Sequence, residues 1–216
     1  MSSSSSRVTD AHFAYIAAHT TPQDEFLGRL KEAAAAEGIP AIWISPEQAA
    51  YQQILLRLID ARRVVEVGTL AGSTAICMAR ALPADGKVDT IELSEKHTAF
   101  ARRWIAESDV AGRVEVHQGS GVDVLPGFAD GSIDAAFLDA DKSGYPAYLV
   151  ECRRMLRPGG LLMVDNAFAF GQLLDEHPTD REVPAVRAFN DLMAADRTFQ
   201  SVIVPLGDGL WVGVKN

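Results

Sequence analysis

The chain has only two cysteines in 216 residues, Cys77 and Cys152, far apart and each in apolar, helix-like surroundings. That scarcity excludes a disulfide-stapled scaffold and the short paired spacing of zinc or redox sites, and it predicts two buried, reduced thiols. No apolar run approaches the roughly 20 residues that span a bilayer, and the opening residues lack the basic start and apolar stretch of a secretory signal. A cytoplasmic protein with no membrane partner is expected. Basic residues are in deficit, 20 against 29 acidic, for a formal charge of -9. This argues against a general phosphate-binding surface and against nucleic acid as the partner. The five histidines, His12, His19, His97, His117 and His177, are scattered without metal-ligand spacing and read as structural or surface residues. No Ser/His/Asp nucleophilic arrangement and no internal repeat is recognisable.

What is present is enough apolar content, 48% of residues, to fill one sizeable core. The expected organisation is a single domain over 1–216. It has a partly disordered tail over 1–21 containing the serine run Ser2 to Ser6, helices over 22–60, and a core over 61–216. From Arg62 onward, short β-branched runs alternate with amphipathic helical stretches, the pattern of a doubly wound α/β fold with helices on both faces of a parallel sheet. The runs are Val64 to Gly68, Lys87 to Leu93, Val114 to Gln118, Ala135 to Asp139 and Leu161 to Asp165. Helices are predicted over Ser73 to Ala81, Glu95 to Ser108, Tyr145 to Met155 and Pro184 to Asp196, with Arg157-Pro158-Gly159-Gly160 as a turn closing the third of them. Phe199 to Leu206 and Leu210 to Lys215, joined by Gly207-Asp208-Gly209, read as a hairpin at the sheet edge. Before the core, Pro22 to Gly38 and Pro46 to Asp60 read as helices, the second with Ser45 as N-cap and Pro46 at its first position. These helices could lid the carboxyl edge of the sheet.

Ligands of open α/β sheets bind outside the carboxyl ends of the strands, so the residues after each run carry the argument. The first run leads into Gly68-Thr69-Leu70-Ala71-Gly72-Ser73-Thr74, where two glycines permit a tight turn and close approach of a ligand. Their spacing of four does not match the G-x-G-x-x-G dinucleotide fingerprint, and an ordinary tight turn is the competing reading. The second run ends at Glu92, 24 residues past Gly68 (92 minus 68), where a carboxylate can accept both hydroxyls of an unphosphorylated ribose. Alone it could equally cap the next helix; with the glycine loop it points to an adenosine-containing cofactor. The fourth and fifth runs end in Asp139-Ala140-Asp141-Lys142 and Asp165-Asn166. In a doubly wound sheet these ends are neighbours, so Asp139, Asp165 and Asn166 would converge as three hard oxygen ligands suited to Mg²⁺, with Ca²⁺ or Mn²⁺ also accommodated. The competing reading makes them turn residues.

Taken together, Glu66-Val67-Gly68-Thr69, Asp139-Ala140-Asp141-Lys142, Arg157-Pro158-Gly159-Gly160 and Asp165-Asn166, in that order and spacing, resemble the metal-dependent O-methyltransferase family that includes catechol and caffeoyl-coenzyme A O-methyltransferases. The resemblance runs from Ser45-Pro46-Glu47-Gln48 to Gly207-Asp208-Gly209-Leu210. It implies a Rossmann-like seven-stranded methyltransferase sheet with an antiparallel last strand, and S-adenosylmethionine as cofactor. It implies that Asp139, Asp165 and Asn166 hold the metal, that Glu66, Gly68, Gly72, Thr74, Glu92 and Asp139 hold the cofactor, and that Ser120, Gly121 and Val122 lie beside the adenine. Lys142 matches the family's proposed general base, and a homodimer is implied as well. The chain departs from many relatives at Leu70, where an aromatic residue is common, at Ser73-Thr74 in place of Tyr-Ser, and at Ala167 to Gly171 in place of a tryptophan-containing stretch.

The mechanism implied is in-line methyl transfer from a sulfonium to a metal-oriented oxygen of a small hydroxylated aromatic molecule, with Lys142 taking the proton and Asp139 beside it. Trp43, Phe168, Phe170 and Trp211 are candidates to wall a flat substrate or, equally, ordinary core residues. Two other readings remain: a non-catalytic methyltransferase-like binding scaffold, and a nicotinamide-dependent oxidoreductase, which leaves the Asp139, Asp165 and Asn166 set unexplained.

Overall fold

The computed structural model describes residues 8–216, so the serine run lies outside the described residues. Seven strands form one sheet in the order β3-β2-β1-β4-β5-β7-β6. In chain order they are β1 (Arg63–Val67), β2 (Lys87–Glu92), β3 (Val114–Gln118), β4 (Ile133–Leu138), β5 (Leu156–Val164), β6 (Phe199–Val204) and β7 (Leu210–Lys215). The first five pair in parallel, while β7 runs antiparallel to both neighbours, β5 and β6. The doubly wound arrangement and the antiparallel last strand are therefore as expected.

Helices α1 (Asp10–His19), α2 (Glu25–Ala36) and α3 (Pro46–Leu58) precede the sheet, and α4 (Ser73–Ala81), α5 (Glu95–Ala106), α6 (Gly121–Val124), α7 (Tyr145–Met155) and α8 (Val183–Ala195) are interleaved with its strands. Strand alternation explains the two-sided core. Val64, Phe137, Leu161 and Met163 pack on one face with Leu30 of α2, Leu56 of α3, Met78 of α4 and Phe100 of α5. Val65, Val67, Ala136, Leu138 and Val164 pack on the other with Leu149 of α7 and Phe189 of α8. Each large side chain taken fully out of water contributes about 1.5–3 kcal/mol, so the strands are held from both faces. Cys77 and Cys152 are free and buried, and burial pushes the Cys77 thiol up to about 11.

Several boundaries differ from the sequence reading; α2, for one, spans Glu25–Ala36 where Pro22 to Gly38 was expected. The α1 helix occupies a segment expected to be tail; it buries none of its residues, so no apolar stripe announced it. The Arg157 to Gly160 turn lies inside β5, as a bulge: β4 advances from Ile133 to Ala135 while β5 advances from Leu156 to Leu161. Arg157 folds back to donate to Asp134 at 2.6 Å, which also accepts the backbone amides of Arg62 and Arg63 at 2.8 Å. Finally, β6 stops at Val204, two residues before the predicted end.

Candidate functional site

The carboxyl ends of β1, β2, β4 and β5, with the loop after β3, open into a cavity of about 600 Å³. Gly68 turns the chain out of β1 with φ +104°, and a Cβ there would collide with the backbone carbonyl oxygen of Asp139. Only glycine fits that close approach of two site loops. At the end of β2, both carboxylate oxygens of Glu92 are fixed by backbone amides, Leu70 at 2.8 Å and Ser94 at 2.9 Å. A carboxylate so held keeps further lone pairs for hydroxyl groups in the cavity.

Of the residues singled out from sequence, Gly68, Thr74, Glu92, Ser120, Gly121, Asp139, Lys142, Asp165 and Asn166 line this one cavity. Glu66, Gly72 and Val122 do not reach its wall. Glu66 is fully buried and accepts from Thr90 Oγ1 at 2.6 Å, which is itself 2.6 Å from Thr69 Oγ1, a wall residue. Burial pushes the Glu66 carboxyl up to about 8, and its Oε1 has no partner. Gly72 caps α4 against Ile105 and Ala101 of α5, and the Val122 side chain is exposed. Among the aromatic candidates, Trp43 and Phe170 line the cavity, whereas Phe168 lies against Gly209 and Trp211 is buried, donating to Asn190 at 2.6 Å.

At the deep end, Lys142 is 5% exposed; its Nζ lies 3.2 Å from Asp139 Oδ1 and donates to Tyr145 Oη at 2.6 Å. Asp165, 7% exposed, accepts from Gln48 Nε2 at 2.7 Å. Burial first, and the charge of Asp139 second, push the Asp165 carboxyl well above the usual carboxylate range. Asn166 donates its amide to Asp208 at 3.1 Å. Two carboxylates under mutual repulsion and an amide oxygen, all hard donors on one wall, fit a divalent cation of the Mg²⁺ kind.

Sequence reasoning missed several neighbours. His97, read as structural, lines the cavity with Nδ1 3.6 Å from Glu92 Oε1, and Tyr148 lines it while donating to Asp141 at 2.6 Å. Gln48 appeared only in the Ser45 to Gln48 stretch where the resemblance begins, with no role assigned; nothing local signals a partner 117 positions away. His117 joins Asp89 and Glu115 in a group whose ligand atoms lie within 4.8 Å of one another. That group sits on β2 and β3 away from the cavity, and Asp89 is already paired with His117 at 2.9 Å and Arg63 at 3.5 Å.

A family model described as O-methyltransferase matches residues 17–216. A catechol O-methyltransferase of Niastella koreensis is 36% identical over 196 residues, covering 89% of this chain and 86% of that protein. Among solved structures, an O-methyltransferase from Bacillus cereus in complex with SAH superimposes with a TM-score of 0.86 at 32% identity, covering 95% of this chain and 97% of that one. The O-methyltransferase of tomaymycin synthesis from Streptomyces achromogenes, in complex with SAM, superimposes at 0.82 with 31% identity, covering 95% and 96%.

Proposed function

The chain belongs to the O-methyltransferase family and is an S-adenosylmethionine-dependent O-methyltransferase, and on that premise we propose that it methylates one of two adjacent oxygens of a small catechol-like or phenolic molecule, assisted by a divalent metal. The nicotinamide-dependent reading falls with this membership. The observation that carries the proposal is a single cavity lined by a buried lysine, two carboxylates and an asparagine together with Glu92. The catechol activity in the name of the Niastella koreensis relative supports the acceptor class.

Asp139, Asp165 and Asn166 would hold the metal. Glu92 would accept the ribose hydroxyls, Gly68 and Thr69 would face the cofactor's centre, Thr74 its methionine end, and Ser120 and Gly121 the adenine. Glu66 would act from behind the wall, by holding Thr69 through Thr90. When bound, a metal such as Mg²⁺, Mn²⁺ or Ca²⁺ supplies Lewis acidity to the paired acceptor oxygens, and the cofactor supplies the electrophilic methyl. Lys142 Nζ, which Tyr145 and Asp139 keep in place, would take the acceptor's proton. Trp43 and Phe170 sandwich or edge the flat ring and hold it in line with the methyl carbon, where misplacement is costly.

Methyl transfer from labelled S-adenosylmethionine to a panel of catechols and hydroxycinnamates tests this, with Mg²⁺, with chelator, and with Asp165→Ala. Metal-dependent product that disappears in the variant is expected. Product insensitive to chelator would sink the metal; cofactor binding without transfer to any acceptor would favour the non-catalytic scaffold.

The proposal includes self-association, since Tyr15 of α1 and Ile54 and Leu58 of α3 leave large apolar side chains exposed. Light scattering at tens of micromolar that returns the monomer mass would overturn it. Among the described residues no helix is long and apolar enough to cross a membrane. Cytoplasmic placement belongs to the proposal and is tested by cell fractionation.

A further inference from the structure

Resting on the metal reading above, we propose that Asp208 is the positioning residue that makes Asn166 an oxygen ligand, and that it couples the metal site to the acceptor wall.

An asparagine side chain carries an oxygen and an NH₂ group of nearly the same shape, and only the oxygen can ligate a cation. Which one faces the cavity is decided by what the other meets. Asp208 Oδ2 meets Asn166 Nδ2 at 3.1 Å. A carboxylate accepts and cannot donate, so the amide nitrogen is kept on the Asp208 side and the oxygen is left for the cavity wall that Asn166 lines.

The same carboxylate holds the backbone that follows. Its Oδ2 accepts the amide of Phe170 at 2.7 Å, and its Oδ1 that of Gly171 at 3.1 Å. The main chain of the turn adds two more bonds: Phe168 N–H to Asp208 O and Ala167 N–H to Gly209 O, both 2.8 Å. These bonds restrain a strained segment, because Asn166, Ala169 and Phe170 have φ of +64°, +53° and +59°. Side-chain-bearing residues hold that region only where surroundings over-determine it. One end of the segment offers the metal ligand and the other the ring of Phe170, so one carboxylate sets both.

The turn also backs the second ligand of β5. A Cβ at Gly207 would collide with Gln48 Oε1, so the turn seats against the amide whose Nε2 donates to Asp165 at 2.7 Å. Asp208 itself does not line the cavity, which makes it a positioning residue and not a catalytic one.

The test is calorimetric titration of Mn²⁺ and, separately, of SAH into wild type, Asp208→Ala and Asp208→Asn. Loss of an outer partner of a metal ligand weakens metal affinity by about 10–100-fold, the result expected for Asp208→Ala. Asp208→Asn, still able to accept at one oxygen, is expected to lose at least about threefold. SAH affinity is expected to stay within about threefold of wild type in both, a split that a general loss of structure would not give. Steady-state KM for the acceptor is expected to rise along with the metal constant, through Phe170. If Asp208→Ala also loses SAH binding, Asp208→Asn alone decides. A folded variant with a smaller loss of Mn²⁺ affinity than about threefold overturns the inference alone. Wild type that binds SAH but no divalent metal overturns the metal reading itself, and this inference with it.

Discussion

Gly68 and Asp139 stand so close at the carboxyl edge of the sheet that the Cα hydrogen of the one faces the carbonyl oxygen of the other, with no room for a methyl group. Gly68→Ala therefore forces two site loops apart and also places a side chain at φ +104°. The expected cost is about 3 kcal/mol or more, a drop of several degrees in melting temperature, with SAH affinity reduced as well. A melting temperature within about 2 °C of wild type would show that the loops yield freely.

Glu66 gives a pH signature. Its carboxyl is raised from 4.5 to about 8 by burial, so the folded chain keeps a proton that the unfolded chain releases. The stability tied to that proton is fully present below about pH 4.5, declines between the two values and is gone above about 8. Glu66→Gln mimics the protonated acid and can still accept from Thr90. It is expected to match wild type at pH 5 and to exceed it at pH 9 by an amount on the order of a few kcal/mol in the cofactor-free protein. Denaturant melts at the two pH values decide it: a difference between the two proteins that does not grow with pH refutes the assignment.

Lys142→Ala is expected to lower kcat by about 10²-fold or more while Mn²⁺ still binds. Lys142→Arg should not restore the rate, because a guanidinium stays protonated and cannot accept. A kcat for the alanine variant within about tenfold of wild type would assign proton removal elsewhere.

For the acceptor wall, Trp43→Ala and Phe170→Ala are each expected to raise KM for an aromatic acceptor by about tenfold, the equivalent of one lost ring contact, and to leave SAH binding unchanged. Equal effects on SAH would move these rings to the cofactor end.

The strands that frame the cavity, β1, β2, β4 and the second half of β5, were legible because their central residues are buried on both faces and read as largely apolar runs that end at a polar residue. Those stops, Glu92, Asp139 and Asp165-Asn166, are the cavity wall. What escaped notice has physical causes. Glu66 is also acidic and near a strand end, but alternation turns it inward to Thr90, and one run of letters does not show which face is deeper. The α1 helix has no buried residue to give it a period. Gln48 and Asp208 act on partners 117 and 42 positions away, so their roles exist only once the sheet has brought β5 beside α3 and the last turn. His97 likewise reads as a helix residue until the end of β2 sets Glu92 beside it.

The place of β7 sets an order of assembly. It fills the slot between β5 and β6, so β6 is made before the strand it pairs with, and β5 keeps an open edge until residues 210–215 have been added. The glycine loop after β1 and the Glu92 cradle are complete much earlier on the nascent chain. A growing polypeptide thus holds the parts proposed to face the cofactor well before the turn that bonds Asn166 and seats against Gln48. On the metal reading proposed above, the bracing of the metal ligands would come last, with the closing of the sheet.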